Sequence, residues 1–512
     1  MTDMGGGTIQ LLPLAIVVGM FAVLILSGLR NRKRHATEYG FRGSYAGRIG
    51  IGAGIASNWM SAASFLGLAG MFYLKGYFAM SYVVGWTGGY VLLLVLIATQ
   101  IRRFGKFTAP DFVGFRYESD GARTIAALIS IVITVIYCVA QFRGIALMVS
   151  WLFNIDYIPA VALGTSLFVS FVVVSGLMGT ARNQKLQYFI LITTFILPLM
   201  FLTRKLGYFW ILPQFGYGAA IGELQQQFGV NWSEPFADTT LFQWFALCFT
   251  MMFGTAGMPH VLSRFYMTPG IRDARWGVVW GLFFIALIYW SAPAYGVLAR
   301  LIEARHNIPF NAGGNDAADM IVLSVAGLGG LPPWIVGLLA AGGMSAAFSA
   351  TAGLLMTGSA SFSYDIYPHL IRPGATESDK IYAAKGFFLL LAAIVMVLTF
   401  RPWGMIAEIA AFAFAVAGNT IFPAFLLGIW WPRTNATGVI CGMLTGLVIS
   451  ISSLLFGSVV PAISTLFPLT SSALIGAPLV MIVMVAASYL SAPPSESVRL
   501  FLTRQVHDCP EE

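Results

Sequence analysis

The chain has 512 residues, of which 10% are Asp, Glu, Lys or Arg and 58% are hydrophobic, with 40 Phe and 13 Trp. Soluble domains carry about 25% charged residues, and so few charges could not cover this much apolar surface. An ordinary cytosolic enzyme, a disordered chain and a nucleic-acid binder are excluded despite the net charge of +8. A membrane β-barrel would need every second strand residue polar. The composition predicts an all-α polytopic membrane protein.

Thirteen stretches are long and apolar enough to span: 10–29, 49–73, 81–101, 124–149, 158–180, 187–209, 242–264, 277–300, 332–363, 383–400, 404–430, 437–457 and 469–491. The first is followed by RNRKRH, Arg30 to His35, with no basic residue before it. A secretory signal has the opposite order, so this run reads as a retained first helix. With the N-terminus outside, 21 of the 29 Lys and Arg fall in inner segments and six in outer ones. That bias predicts N-out and C-in. One transmembrane domain over 1–491 is expected, followed by a short cytoplasmic tail, 492–512.

Span two opens GIGAGIASNWMSAASFLGLAG, with Asn58, Ser61 and Ser64 at membrane depth. The loop after span three reads RRFGKFTAPDF, Arg102 to Phe112. Span four holds Arg143, a deep arginine and so a functional candidate by default. A planar guanidinium grips a carboxylate with two hydrogen bonds. Arg143, with Gln141 nearby, is expected to face the cavity and hold a substrate carboxylate. The alternative is a structural pair, with Glu408 as a partner, or bonds to carbonyls.

Span seven reads FTMMFGTAGMPH, Phe249 to His260, with Gly254, Gly257 and Pro259 inside an apolar run. Gly, Ser and Pro weaken both span two and span seven. Unpaired backbone at that depth is tolerated only in a cavity lining or inside protein. The two spans are five apart, as a five-plus-five inverted repeat requires, and such paired breaks mark a midplane binding site. The alternative is close packing through small residues. The long outer segments 210–241, with ELQQQF, and 301–331, with NAGGNDAAD (Asn311 to Asp319), either cap a vestibule or are solvated loops. In span nine Ser345 and Ser349 are four apart and share a face, able to hold a cation or to bond their own backbone.

No P-loop, no H-E-x-x-H and no C-x-x-C occurs. The four cysteines, Cys138, Cys248, Cys441 and Cys509, suggest neither a disulfide framework nor zinc. Five histidines, of which His260 alone lies near a span, leave no haem pair. An enzyme is not expected, nor any cofactor beyond a co-transported ion. His260 is either a gate or solute donor, or a helix-end histidine beside Arg264. Asp365 is expected to pair with loop arginines.

SNWMSAASFLG (Ser57 to Gly67), RRFGKFTAPDF, GTAGMPHVLSRF (Gly254 to Phe265) and ATAGLLMTGSASFSYDIY (Ala350 to Tyr367) resemble signatures of the sodium:solute symporter family, nearest its cation/acetate branch. The likeness runs from about 45 to 450. It implies a LeuT-type fold of about 13 helices, with inverted repeats near 49–209 and 242–430. It also implies a sodium site from the carbonyls of Ser57, Met60 and Ala346 and the Ser349 hydroxyl. The family's second hydroxyl falls on Ala350, with Thr351 or Ser345 as neighbouring sources. The solute is expected at Asn58, Ser61, Gln141, Arg143, Thr255 and Gly257.

The expected function is inward cation flow, Na+ by resemblance, coupled to uptake of a small organic solute, a short monocarboxylate such as acetate. The alternatives are proton-coupled uptake of another solute, or a solute sensor built on a transporter core. The expected setting is a bacterial inner membrane. The expected partners are the solute and lipid, with no nucleic acid.

Overall fold

The computed structural model describes residues 9–32, 47–104, 108–234, 239–266, 271–311, 313–456, 459 and 468–502. Lys33 to His35, part of the loop after span three, Cys509 and the end of the tail lie outside them. Among the described residues every regular element is helical.

Among the described residues ten helical stretches are long and apolar enough to cross a bilayer, against thirteen expected. The difference has a physical cause, because several apolar stretches are broken or short. The expected span 49–73 divides into α2 (Gly47–Trp59) and a π turn, Ala63–Gly67, that runs into α3 (Leu68–Lys75). After α4 (Met80–Leu93), α5 (Thr99–Phe104) and α6 (Ala109–Arg116) comes α7 (Asp120–Phe153), an unbroken helix of 34 residues. The expected connection at 181–186 falls inside α8 (Tyr157–Lys205), which carries two apolar stretches, Tyr157–Ser175 and Asn183–Lys205.

The expected span 242–264 divides into α10 (Leu241–Gly257) and α11 (Pro259–Tyr266), after the loop helix α9 (Pro213–Phe228). Next come α12 (Ile271–Arg305), two short loop helices, α13 (Gly314–Asp319) and α14 (Ile321–Leu328), and α15 (Pro333–Ala360), which continues as a π-type segment to Ile371. The remainder is α16 (Glu377–Thr399), α17 (Ile406–Asn419), α18 (Ile421–Trp430), α19 (Ala436–Phe456), α20 (Ala473–Tyr489) and α21 (Glu496–Phe501). α20, like α10, has only 17 residues.

α15 and the pair α17–α18 are the most enclosed helices, with nearly every side chain inside protein. α1 (Leu11–Arg32) and α16 lie at the periphery and expose Leu11, Leu26, Leu390 and Val397. An exposed apolar rim around a buried small-residue centre suits a protein whose solvent is lipid. α7 joins the two zones and delivers Tyr137, Gln141 and Arg143 to the centre, all buried.

Candidate functional site

Two helix breaks face one another across the middle of the molecule. In the first, regular helix ends after Trp59 and resumes at Ala62, with Met60 and Ser61 between. The freed Ala62 N–H donates to Gln141 Oε1 of α7 at 2.8 Å, and Tyr137 OH donates to Ser61 Oγ at 3.1 Å. The Gln141 side chain of α7 therefore takes over a backbone N–H freed at the break, and Tyr137 bonds the Ser61 hydroxyl beside it. In the second, Met258 has an extended conformation, φ −67° and ψ 118°, immediately before Pro259. Proline disfavours helical ψ in the residue before it and supplies no N–H of its own.

A third break, not anticipated from the sequence, separates α17 from α18 at Asn419 and Thr420. Pro423, four residues on from Asn419, can offer the Asn419 carbonyl no N–H. The Asn419 side chain braces the break, its Nδ2 donating to Ser450 Oγ and Ser472 Oγ at 3.2 and 3.0 Å. The second and third breaks touch. A methyl group at Gly257 would lie 2.6 Å from Ala417 O and 2.9 Å from Phe422 N, both backbone atoms. Gly257→Ala is therefore expected to cost about 1–3 kcal/mol and to stop transport, read as a lower melting temperature and a lost initial uptake rate. A variant with wild-type uptake would show that the two breaks need not stay in contact.

The expected ion residues fall on α2 and α15. Ser57 Oγ and Ser349 Oγ are 2.8 Å apart, and Ser349 Oγ also donates to the Ser57 carbonyl at 3.0 Å. Met60, just past the end of α2, and Ala346, one turn before Ser349 on α15, are fully buried. Of the two hydroxyls near Ala350, Thr351 donates to its own helix at Ala347 O (2.6 Å), the back-bonding usual for threonine in a helix. Ser345 faces α8, its Oγ 3.5 Å from Gln187 O.

The expected solute residues separate into groups. Ser61 and Gln141 meet at the first break, as above, and Gly257 ends the second. Gln141 Nε2 is a buried donor with no acceptor among the described residues. Asn58 turns towards α8, its Oδ1 3.4 Å from Gln184 Nε2. Thr255 donates to Met251 O of its own helix at 2.7 Å, and its side chain packs on Gly89 of α4. Arg143 goes elsewhere. Its Nε donates to Asp319 Oδ2 at 2.9 Å and its Nη2 to Asp316 Oδ1 at 2.7 Å.

The partner weighed for Arg143, Glu408, instead receives the Met405 N–H at 3.1 Å and caps α17. The acidic pair that does meet Arg143 sits on loop helix α13, three residues apart and so on one face. Asp319 is wholly buried and also accepts the Ile406 N–H of α17 at 3.2 Å on both oxygens. Burial raises its carboxyl to about 7, with the Arg143 charge and these hydrogen bonds pulling the other way. The NAGGNDAAD stretch is thus not merely a solvated loop, because it ties α13 to α7 and α17.

His260, the second residue of α11, is buried and stacks on Trp59, with ring centroids 6.5 Å apart; the side chain of Arg264, weighed as its neighbour, lies outside the described residues. One smaller expectation changes. The hydrogen bond to Asp365 comes from Thr108 Oγ1 at 2.7 Å, where loop arginines were expected. Sequence reasoning missed the surroundings of His260 entirely. Trp59, Trp86, Tyr90, Tyr137, Tyr289 and Phe414 come from five helices to form an aromatic cage beside the first break. Trp59 Nε1 donates to Tyr289 OH at 2.7 Å, so the polar tips of two of these rings satisfy one another.

The family model for the sodium:solute symporter family matches residues 42–446. The chain belongs to that family. It is similar to a monocarboxylic acid transporter of Corynebacterium glutamicum, 29% identical with 84% of this chain and 82% of that one covered. It is also similar to an uncharacterized symporter, YwcA, of Bacillus subtilis, 28% identical with 90% of each covered. Among solved structures, a Na+-coupled sialic acid symporter in a substrate-bound, outward-open state has a TM-score of 0.74 at 17% identity, covering 95% of this chain and 99% of that one. The fold is accordingly that of the LeuT type, and the chain is a multi-pass membrane symporter, not an enzyme.

Proposed function

We propose that this symporter couples inward Na+ flow to uptake of a short-chain monocarboxylate such as acetate. The observation that carries the ion half is the Ser57–Ser349 contact, a meeting of neutral oxygens between a broken helix and a buried one. Hydroxyls and carbonyls suit a hard cation without any carboxylate. Met60 and Ala346 would complete the set. The solute half rests on Arg143 and on Gln141 Nε2, two buried donors one short stretch of α7 apart, with the aromatic cage limiting the size of what fits.

The 21 to 6 bias in Lys and Arg supports reading the ends carrying the 30–48 and 101–123 segments as cytoplasmic and the α13 end as outer. An ion between α2 and α15 favours one arrangement of the broken helices, and solute bound at the breaks shares that preference. Coupling is this shared preference.

Uptake of labelled acetate into proteoliposomes should rise at least fivefold when an inward Na+ gradient is imposed. A proton gradient alone should leave it unchanged. Equal uptake with and without the Na+ gradient would reject sodium coupling, and a response to protons alone would put a proton in its place.

A further inference from the structure

Beside Arg143 lies an open cavity of about 350 Å³, lined by Arg143, Gly313, Asn315, Asp316, Trp403 and Gly404. That volume is at the lower end of the range for small-molecule sites. The two carboxylates on Arg143 are held very differently. Asp319 is fully enclosed and has the guanidinium Nε and the Ile406 N–H as partners. Among the described residues Asp316 has Arg143 Nη2 as its one ion-pair partner, and its side chain, which lines the cavity, is 52% exposed. One acid is built into the fold, and the other closes the contact from the solvent side.

We propose that this cavity is a docking subsite for the solute's carboxylate, and that Asp316 is an internal stand-in occupying the place on Arg143 Nη2 that the solute takes. The inference rests on the monocarboxylate reading above. Exchanging one carboxylate for another never leaves Arg143 Nη2 without an acceptor, a state that is costly for a buried donor. Asp319 stays on Nε throughout and keeps the fork oriented. Docking frees Asp316, and with it the α13 face that closes over Arg143. The same turn of α7 leads to the first break, because Gln141 bonds Ala62 and Gly144 packs on the Ala62 side chain. A solute released from the subsite is therefore already beside the breaks. A tethered carboxylate competes at an effective concentration on the order of millimolar, so removing it should tighten solute binding.

The test is uptake of labelled acetate by Asp316→Asn in proteoliposomes. The apparent KM is expected to fall three- to tenfold. Asp316→Glu, which keeps the competing carboxylate, should stay near wild type. Asp156→Asn removes an exposed charge from the neighbouring α7–α8 turn without touching Arg143, and should leave KM unchanged. An unchanged or raised KM in Asp316→Asn, an equal fall in Asp156→Asn, or an Asp316→Asn protein that fails to fold overturns the subsite. Should wild type carry no acetate, propionate or pyruvate, the monocarboxylate reading fails and binding alone decides the subsite. Acetate, and not acetamide, raising the melting temperature of Asp316→Asn more than that of wild type then supports it. Equal shifts overturn it.

Discussion

Arg143→Gln is expected to destabilise the protein by about 3–5 kcal/mol at pH 8, the range for breaking one side of a buried ion pair. The cost arises at Asp319, which is wholly buried and would keep only the Ile406 N–H. Asp316 contributes little, because it is half exposed and can turn to water. The double variant Arg143→Gln/Asp319→Asn should regain most of the loss, since neither buried charge remains. In the folded protein the Asp319 carboxyl sits at about 7, against roughly 3.9 in an unfolded chain. The folded state therefore binds the proton at higher pH, and stability falls as pH rises through that window. Without the guanidinium the carboxyl rises further and the window of loss extends into alkali. The deficit of Arg143→Gln should be smaller at pH 6 than at pH 8, by up to about 1.4 kcal/mol, the worth of one pKa unit. Melting temperatures of the three proteins in detergent at both pH values decide the matter. Equal stability of single and double variants would show that Arg143 and Asp319 are not energetically coupled.

What the sequence disclosed follows from where the relevant forces act. The breaks at Met60 and Met258 were legible because their causes are local. A run crowded with Gly, Ala and Ser surrounds the first, and Pro259 immediately follows the second. The break at Asn419 had a local mark too, in Pro423, but an apolar stretch as continuous as 404–430 reads as one helix. Arg143 stood out by its depth, since almost no other charge lies within a span. Its partners did not, because Asp316 and Asp319 lie some 175 positions away in a polar loop. Nothing in that loop's composition shows that α13 folds back to the core, where Gly70 lets the Ala318 carbonyl approach α3. The aromatic cage was hidden for a related reason. Its rings are scattered over five helices, and in a chain with 14% aromatic residues no single Trp or Tyr is conspicuous.

Ser349→Ala is expected to raise the Na+ concentration for half-maximal uptake at least tenfold, a loss of about 1.4 kcal/mol of ion binding. The serine does two things in the structure. It donates to the Ser57 carbonyl, and it shares a hydrogen bond with the Ser57 hydroxyl. In the proposed site an ion between α2 and α15 would take these same oxygens as ligands, replacing the hydrogen bonds that join the helices without it. Alanine removes one oxygen and leaves the Ser57 groups unsatisfied in a dry interior, so it weakens the helix contact as well as the ion. The two effects separate by measurement. Loss of packing alone would lower the melting temperature and the maximal rate without moving the Na+ dependence. Loss of a ligand moves the Na+ dependence and leaves acetate's KM at saturating Na+ close to wild type. Ser349→Thr restores a hydroxyl at the same position and should recover most of the Na+ affinity. If Ser349→Ala keeps the wild-type Na+ dependence, the ion does not bind between α2 and α15. The candidate oxygens would then have to be sought at the third break, where Asn419 Oδ1 is buried with no partner among the described residues.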